Sequence, residues 1–139
     1  MAEVAAAAGK ALILSEGLLA WLCAEDVAAL AANLHQQPDF AWWLADLMTA
    51  GLNRWLTQTR WQGMNAGNAR MQFAPGEGPA FFAPFGWQVA ELRSLAQEAR
   101  RRHREMPWAW LWRLLMPLVP KDKREVHGQL DSHVVLLNR

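Results

Sequence analysis

Ala11-Leu12-Ile13-Leu14-Ser15-Glu16-Gly17 is an uncharged apolar run that ends on an acid and a glycine. A continuous run of this kind reads as a strand buried on both faces, the type found in parallel sheets. Downstream, Val27, Leu30, Ala31 and Leu34 recur at helical spacing and predict a helix from about Ala24 to His35. Pro38-Asp39 breaks the chain, and the apolar segment Phe40 to Leu47 is a second strand with an interior character. Strand, helix, strand in this length is a βαβ crossover, which sets its helix on one face of the sheet. The expected class is therefore α/β.

Outward from this unit the pattern loosens and then recovers. Glu3 to Ala8 is Ala-rich and favours helix, with Gly9 as its stop. After the second strand, Thr49 or Asn53 starts another helix, with Leu52, Trp55, Leu56 and Trp61 on its apolar side. Gly63 to Pro84 is rich in Gly and Pro and reads as a long functional or mobile loop. Gln88 to Arg93 alternates as a third strand, and Leu95 to Glu105 is a strongly charged helix. Met106 to Leu118 is a greasier helix opened by Pro107 and closed by Pro117 and Pro120. Lys121 to Glu125 is a solvated charge cluster, and Ser132 to Leu137 is the closing strand. That strand, coming after a long helical excursion, is a candidate for insertion between its predecessors, since antiparallel pairs on a parallel sheet are common. One domain is expected, with residues 1–48 as the βαβ unit, 49–84 as helix and loop, and 85–139 as the C-terminal strand-helix-strand.

Composition removes several functions. With 53% apolar and 19% charged residues in 139, the chain can bury a core and is not disordered. A net charge of +1 gives no global field for nucleic acid. The single Cys23 excludes an internal disulfide, and the four scattered histidines have no ligand spacing, so no metal is expected. No signal peptide or bilayer-length apolar run is present, so the default location is the cytoplasm and no membrane partner is expected. Nine Trp and no Tyr mark extensive hydrophobic contact without naming a ligand.

Leu14-Ser15-Glu16-Gly17-Leu18-Leu19-Ala20-Trp21-Leu22 resembles the S/T-E-G-L-L-x-Y-L strand-four motif of the leucine carboxyl methyltransferase family. Four later pieces fall in the family's order: Trp42 to Leu47, Phe81 to Trp87, Trp110 to Leu115, and Val134 to Leu137. The resemblance covers essentially the whole chain. It implies the C-terminal half of a class I, Rossmann-like methyltransferase sheet, strands four to seven of seven, with S-adenosylmethionine as cofactor and a small-molecule or carboxylate methyl acceptor. The family's glycine-rich loop after strand one has no counterpart here; Gly76-Glu77-Gly78 follows no convincing strand. Weak or absent cofactor binding by these residues alone is the expectation, and a homo-oligomer or a complementing N-terminal chain is the expected partner. A non-catalytic interaction module is the alternative, and position 21 is Trp where the family usually has Tyr.

Glu16 is the sharpest site candidate. An acid at the carboxyl end of a parallel strand lies where open α/β sheets bind ligands, and the family resemblance implies contact with the cofactor. The plainer alternative is a solvated strand-end acid. Gly17 lets backbone approach the cofactor, or serves a turn. Asp46 faces the substrate side of the same crevice, or caps the next helix. Phe82 and Trp87 belong to an aromatic cluster that is either core or the wall of a substrate pocket. Trp108 and Trp112 share a helix face and read as packing. Arg100-Arg101-Arg102-His103-Arg104 is flanked by Glu91, Glu98 and Glu105 and is a solvated helix face. Cys23 is a small apolar filler, and Ser15 and Ser132 lie in no nucleophile motif.

Overall fold

The computed structural model describes residues 9–59, 70–102 and 131–139. Strand β1 spans Ala11–Ser15, helix α1 Ala24–Gln36, strand β2 Phe40–Met48, helix α2 Ala50–Thr59, strand β3 Gln88–Ser94, helix α3 Leu95–Arg101 and strand β4 Ser132–Asn138. Short 3-10 segments at Leu19–Trp21 and Gly78–Phe85 complete the list. The expected helices over Glu3–Ala8 and Met106–Leu118, and the Lys121–Glu125 cluster, lie outside the described residues.

The four strands form one open sheet in the order β1-β2-β4-β3. β1 and β2 are parallel, with Ser15 beside Ala45; β4 runs antiparallel to both β2 and β3. The closing strand therefore does insert between its predecessors. The architecture is mixed α/β.

One face of the sheet carries the core. Ile13 and Ser15 of β1, Trp43, Ala45 and Leu47 of β2, and Val135 and Leu137 of β4 point to it by strand alternation. Val27, Ala31 and Leu34, spaced along one side of α1, close over them. Trp43 sits at the centre with no exposed surface, edge-on to Phe82 at 5.3 Å and Trp87 at 5.7 Å between ring centroids. Its indole N–H donates to Ser15 Oγ at 2.9 Å, and that of Trp87 donates to the Ala31 carbonyl at 2.9 Å. Both buried indole donors are thereby satisfied.

β1 departs from the strand buried on both faces that its composition predicts. Leu12 is 55% and Leu14 65% exposed, because β1 is an edge strand and its second face is uncovered there. β2 is interior, although Trp42 on that same second face is 40% exposed. The expected Gly63–Pro84 loop is also corrected in its described part. Phe73 and Phe82 are buried, and Gly78–Phe85 coils into a 3-10 helix opened by Pro79 near its first turn. Three aromatic side chains within that stretch had enough apolar area to dock it on the sheet.

Gly86 ends this helix at φ 90°, the left-handed region that a side chain disfavours. A Cβ there would also lie 2.5 Å from His35 Nε2, whose ring stacks edge-on against Trp87. Gly86→Ala is expected to lower stability by about 1–3 kcal/mol, and Trp43→Ala by about 3–5 kcal/mol, both read by denaturant unfolding. Ser15→Ala strands the Trp43 indole donor and should cost about 1–3 kcal/mol. An unchanged midpoint for Ser15→Ala would show that the indole finds another acceptor.

Candidate functional site at the carboxyl ends of the parallel strands

In an open α/β sheet, ligand crevices form beyond the carboxyl ends of the strands. Two groups of residues gather there. The first grows from the end of β1. Ser15 turns into the core to take the Trp43 donor, so the next side chain, Glu16, projects to the exposed side. Gly17 follows at φ 63°, a turn conformation, with open space where a Cβ would be. Its requirement for glycine is thus the backbone angle and not crowding. The Gly17 N–H donates to Asp46 Oδ1 at 2.9 Å. Glu16, Gly17 and Asp46 therefore meet at one place, with Asp46 of β2 clamping the turn that leaves β1.

The rest of the motif folds back over the strand end. Leu19 is buried within the 3-10 turn, and the Ala20 carbonyl accepts from Gln72 N at 2.7 Å and Phe73 N at 3.3 Å. Gln72 also reaches the Trp21 carbonyl through its side-chain amide. The turn beyond β1 is thus tied to the segment that leads to the aromatic 3-10 helix.

Phe82 and Trp87 are corrected as substrate-side residues. Both are fully buried beneath α1, where they pack on Trp43, and neither has surface to offer a ligand. The large apolar area that made them candidates is the same property that drew them into the core.

The second group lies where β2 ends and β4 begins, and no sequence signal pointed to it. Thr49 caps α2: its hydroxyl accepts from Leu52 N at 3.2 Å and donates to the Asp131 carbonyl at 2.8 Å. Asp131 Oδ1 accepts from Ser132 N at 2.8 Å, and its Oδ2 stands 3.9 Å from His133 Nε2. A cavity of about 150 Å³ opens here, walled by Leu47, Pro75, Pro79 and Leu92, with Thr49 and His133 at its polar side. Thr49 and His133 are 84 positions apart and meet only because β4 pairs with β2, Leu47 opposite His133.

A larger concavity of about 390 Å³ between β3, α3 and β4 is a shallower candidate. Its charged side chains are already committed: Glu98 pairs with Arg93, Arg101 and Arg102. The described part of the basic run is accordingly a solvated face with ion pairs at helical spacing. Cys23 is no activated nucleophile. The Asp26 backbone N–H favours its thiolate, but the Asp26 and Glu25 carboxylates outweigh that and raise the thiol above its usual range. Among the described residues no cluster of three or more His, Cys, Asp or Glu could hold a metal, and no helix is long and apolar enough to cross a membrane.

No family model, curated protein or solved structure matches this chain.

Chemically, Glu16 and Asp46 are acceptor groups at the ends of neighbouring strands, suited to ammonium or hydroxyl donors. Asp46→Ala should release the Gly17 amide, seen as faster hydrogen exchange at Gly17 with the core amides of β2 unchanged. Asp46→Asn, which keeps an acceptor without the charge, should fall between.

Proposed function

We propose that this chain carries strands four to seven of a Rossmann-like, S-adenosylmethionine-dependent methyltransferase sheet of the carboxyl- or O-methylating kind. The observation that supports this best is the strand order. Numbered four to seven, the strands run 4-5-7-6, with the first two parallel and the last inserted antiparallel. In the common doubly wound sheet, strand one lies beside strand four, and ligands bind at that switch point beyond the carboxyl ends. β1 is an edge strand with its free side where such a neighbour would add, and Glu16 and Gly17 leave it at the ligand end.

The residues fit the cofactor in kind. Glu16 is an exposed acceptor for the methionyl ammonium group, and the Gly17 turn, held by Asp46, lets a ligand approach the backbone. Asp46 serves this site as the clamp of the turn and fixes the direction in which Glu16 leaves the sheet. S-adenosylmethionine supplies an activated methyl group. The chain's own residues align the partners and exclude water, which is most of what in-line methyl transfer needs.

Titration calorimetry of the chain with S-adenosylmethionine should show affinity weaker than micromolar, since no glycine-rich loop of the cofactor-binding type is found in these residues. At millimolar cofactor, the backbone resonances of Glu16 and Gly17 should move, and move less in Glu16→Gln. Micromolar binding would overturn the expectation of weak affinity, and resonances at 15–17 that stay still would overturn the cofactor assignment.

A second reading, an interaction module completed by a partner, draws on the exposed Leu12, Leu14 and Trp42 strip beside the free β1 edge. Sedimentation equilibrium decides: a stable dimer that leaves Glu16 and Gly17 indifferent to cofactor favours it.

A further inference from the structure

We infer that the cavity at the end of β2 is a binding subsite for a ring-sized neutral alcohol, such as a phenol, whose hydroxyl hydrogen-bonds the His133 imidazole. Its size sets the first limit. About 150 Å³ is half the lower bound for a whole drug-sized ligand, and it equals a cavity that holds benzene. The walls at Leu47, Leu92, Pro75 and Pro79 are apolar and suit a ring or a short branched chain.

The polar side sets the second limit. Among the described residues, His133 is the one titratable side chain lining the cavity. The Thr49 hydroxyl already donates to the Asp131 carbonyl and accepts from Leu52 N. Among the described residues neither ring nitrogen of His133 makes a hydrogen bond, because the Asp131 carboxylate at 3.9 Å is too far for one. Asp131 is itself held by Ser132 N and Ala96 N, so its charge beside the imidazole is fixed in place.

The lining selects among ligands. A carboxylate in the cavity would be desolvated, with no Lys or Arg among the described lining residues to pair with it. An ammonium would be desolvated as well, with no carboxylate among the described lining residues to pair with it. A neutral hydroxyl can donate to the imidazole and leave its carbon frame on the apolar walls.

The role of this subsite, though not its existence, rests on the methyltransferase reading. There the hydroxyl would be the methyl acceptor. Its oxygen bonds the methyl carbon as the methyl–sulfur bond breaks with its electron pair going to sulfur, and the hydroxyl proton passes to His133.

The test is a titration of the full chain with phenol, benzene and benzoate in the absence of cofactor, followed by the histidine ring resonances. Phenol should move the His133 signals saturably and leave those of His35 in place, and benzoate should bind at least tenfold more weakly. His133→Phe should weaken phenol about tenfold while benzene still binds. Leu92→Trp, which fills the cavity from a half-exposed position, should block both. His133 signals unmoved by phenol, or benzoate binding as well as phenol, would overturn the proposal. Because no cofactor is present, failure here leaves the cofactor assignment standing, and failure of the cofactor titration leaves this subsite standing.

Discussion

The indole of Trp43 has one polar atom and no solvent to give it to. Its N–H must be answered inside the protein, and Ser15 on the neighbouring strand answers it. That bond fixes which way Ser15 points, and strand alternation then sends Glu16 outward and Gly17 into its turn. Phe82 and Trp87 press on the same indole from the side of α1, so the aromatic 3-10 helix, α1 and the parallel strand pair share one anchor. The geometry at the carboxyl end of β1 is a consequence of how the core beneath it is packed.

The other end of the site depends on topology more than packing. Insertion of β4 beside β2 carries Asp131 and His133 to the exit of β2, where Thr49 starts α2. The Thr49–Asp131 pair of bonds, one from the hydroxyl and one from the backbone N–H, stitches the start of a helix to the start of a strand. Two polar groups and an apolar hollow result from a pairing between segments far apart in the chain.

The two halves differ in how much of them was legible in the sequence. β1 matched its expected Ala11–Ser15 bounds, and α1 and β2 came within a residue of theirs, because each carries its own periodicity and sits between clear breakers. Glu16, Gly17 and Asp46 were legible as strand-end positions, and their meeting follows from the parallel register. The exposure of Leu12 and Leu14 was not legible, since an apolar run does not reveal whether its strand has one neighbour or two. The burial of Phe82 was legible as one of two readings, core or pocket wall, and its contact with Trp43 decided for core. His133 was unreadable as a site residue, because its partners Asp131 and Thr49 gain meaning through tertiary pairing alone.

The contact between Gly86 and His35 has a consequence for how this fold can change over generations. Position 86 is bound twice, by its left-handed backbone and by the ring that occupies the space of a Cβ. Position 35 is bound once, by its edge-on contact with Trp87. The dependence is therefore one-directional: a smaller residue can arrive at 35 first and leave glycine untouched, whereas a side chain at 86 needs both a smaller neighbour and a new backbone path. Divergence at this corner has an order, with a change at 35 able to precede one at 86 and not the reverse.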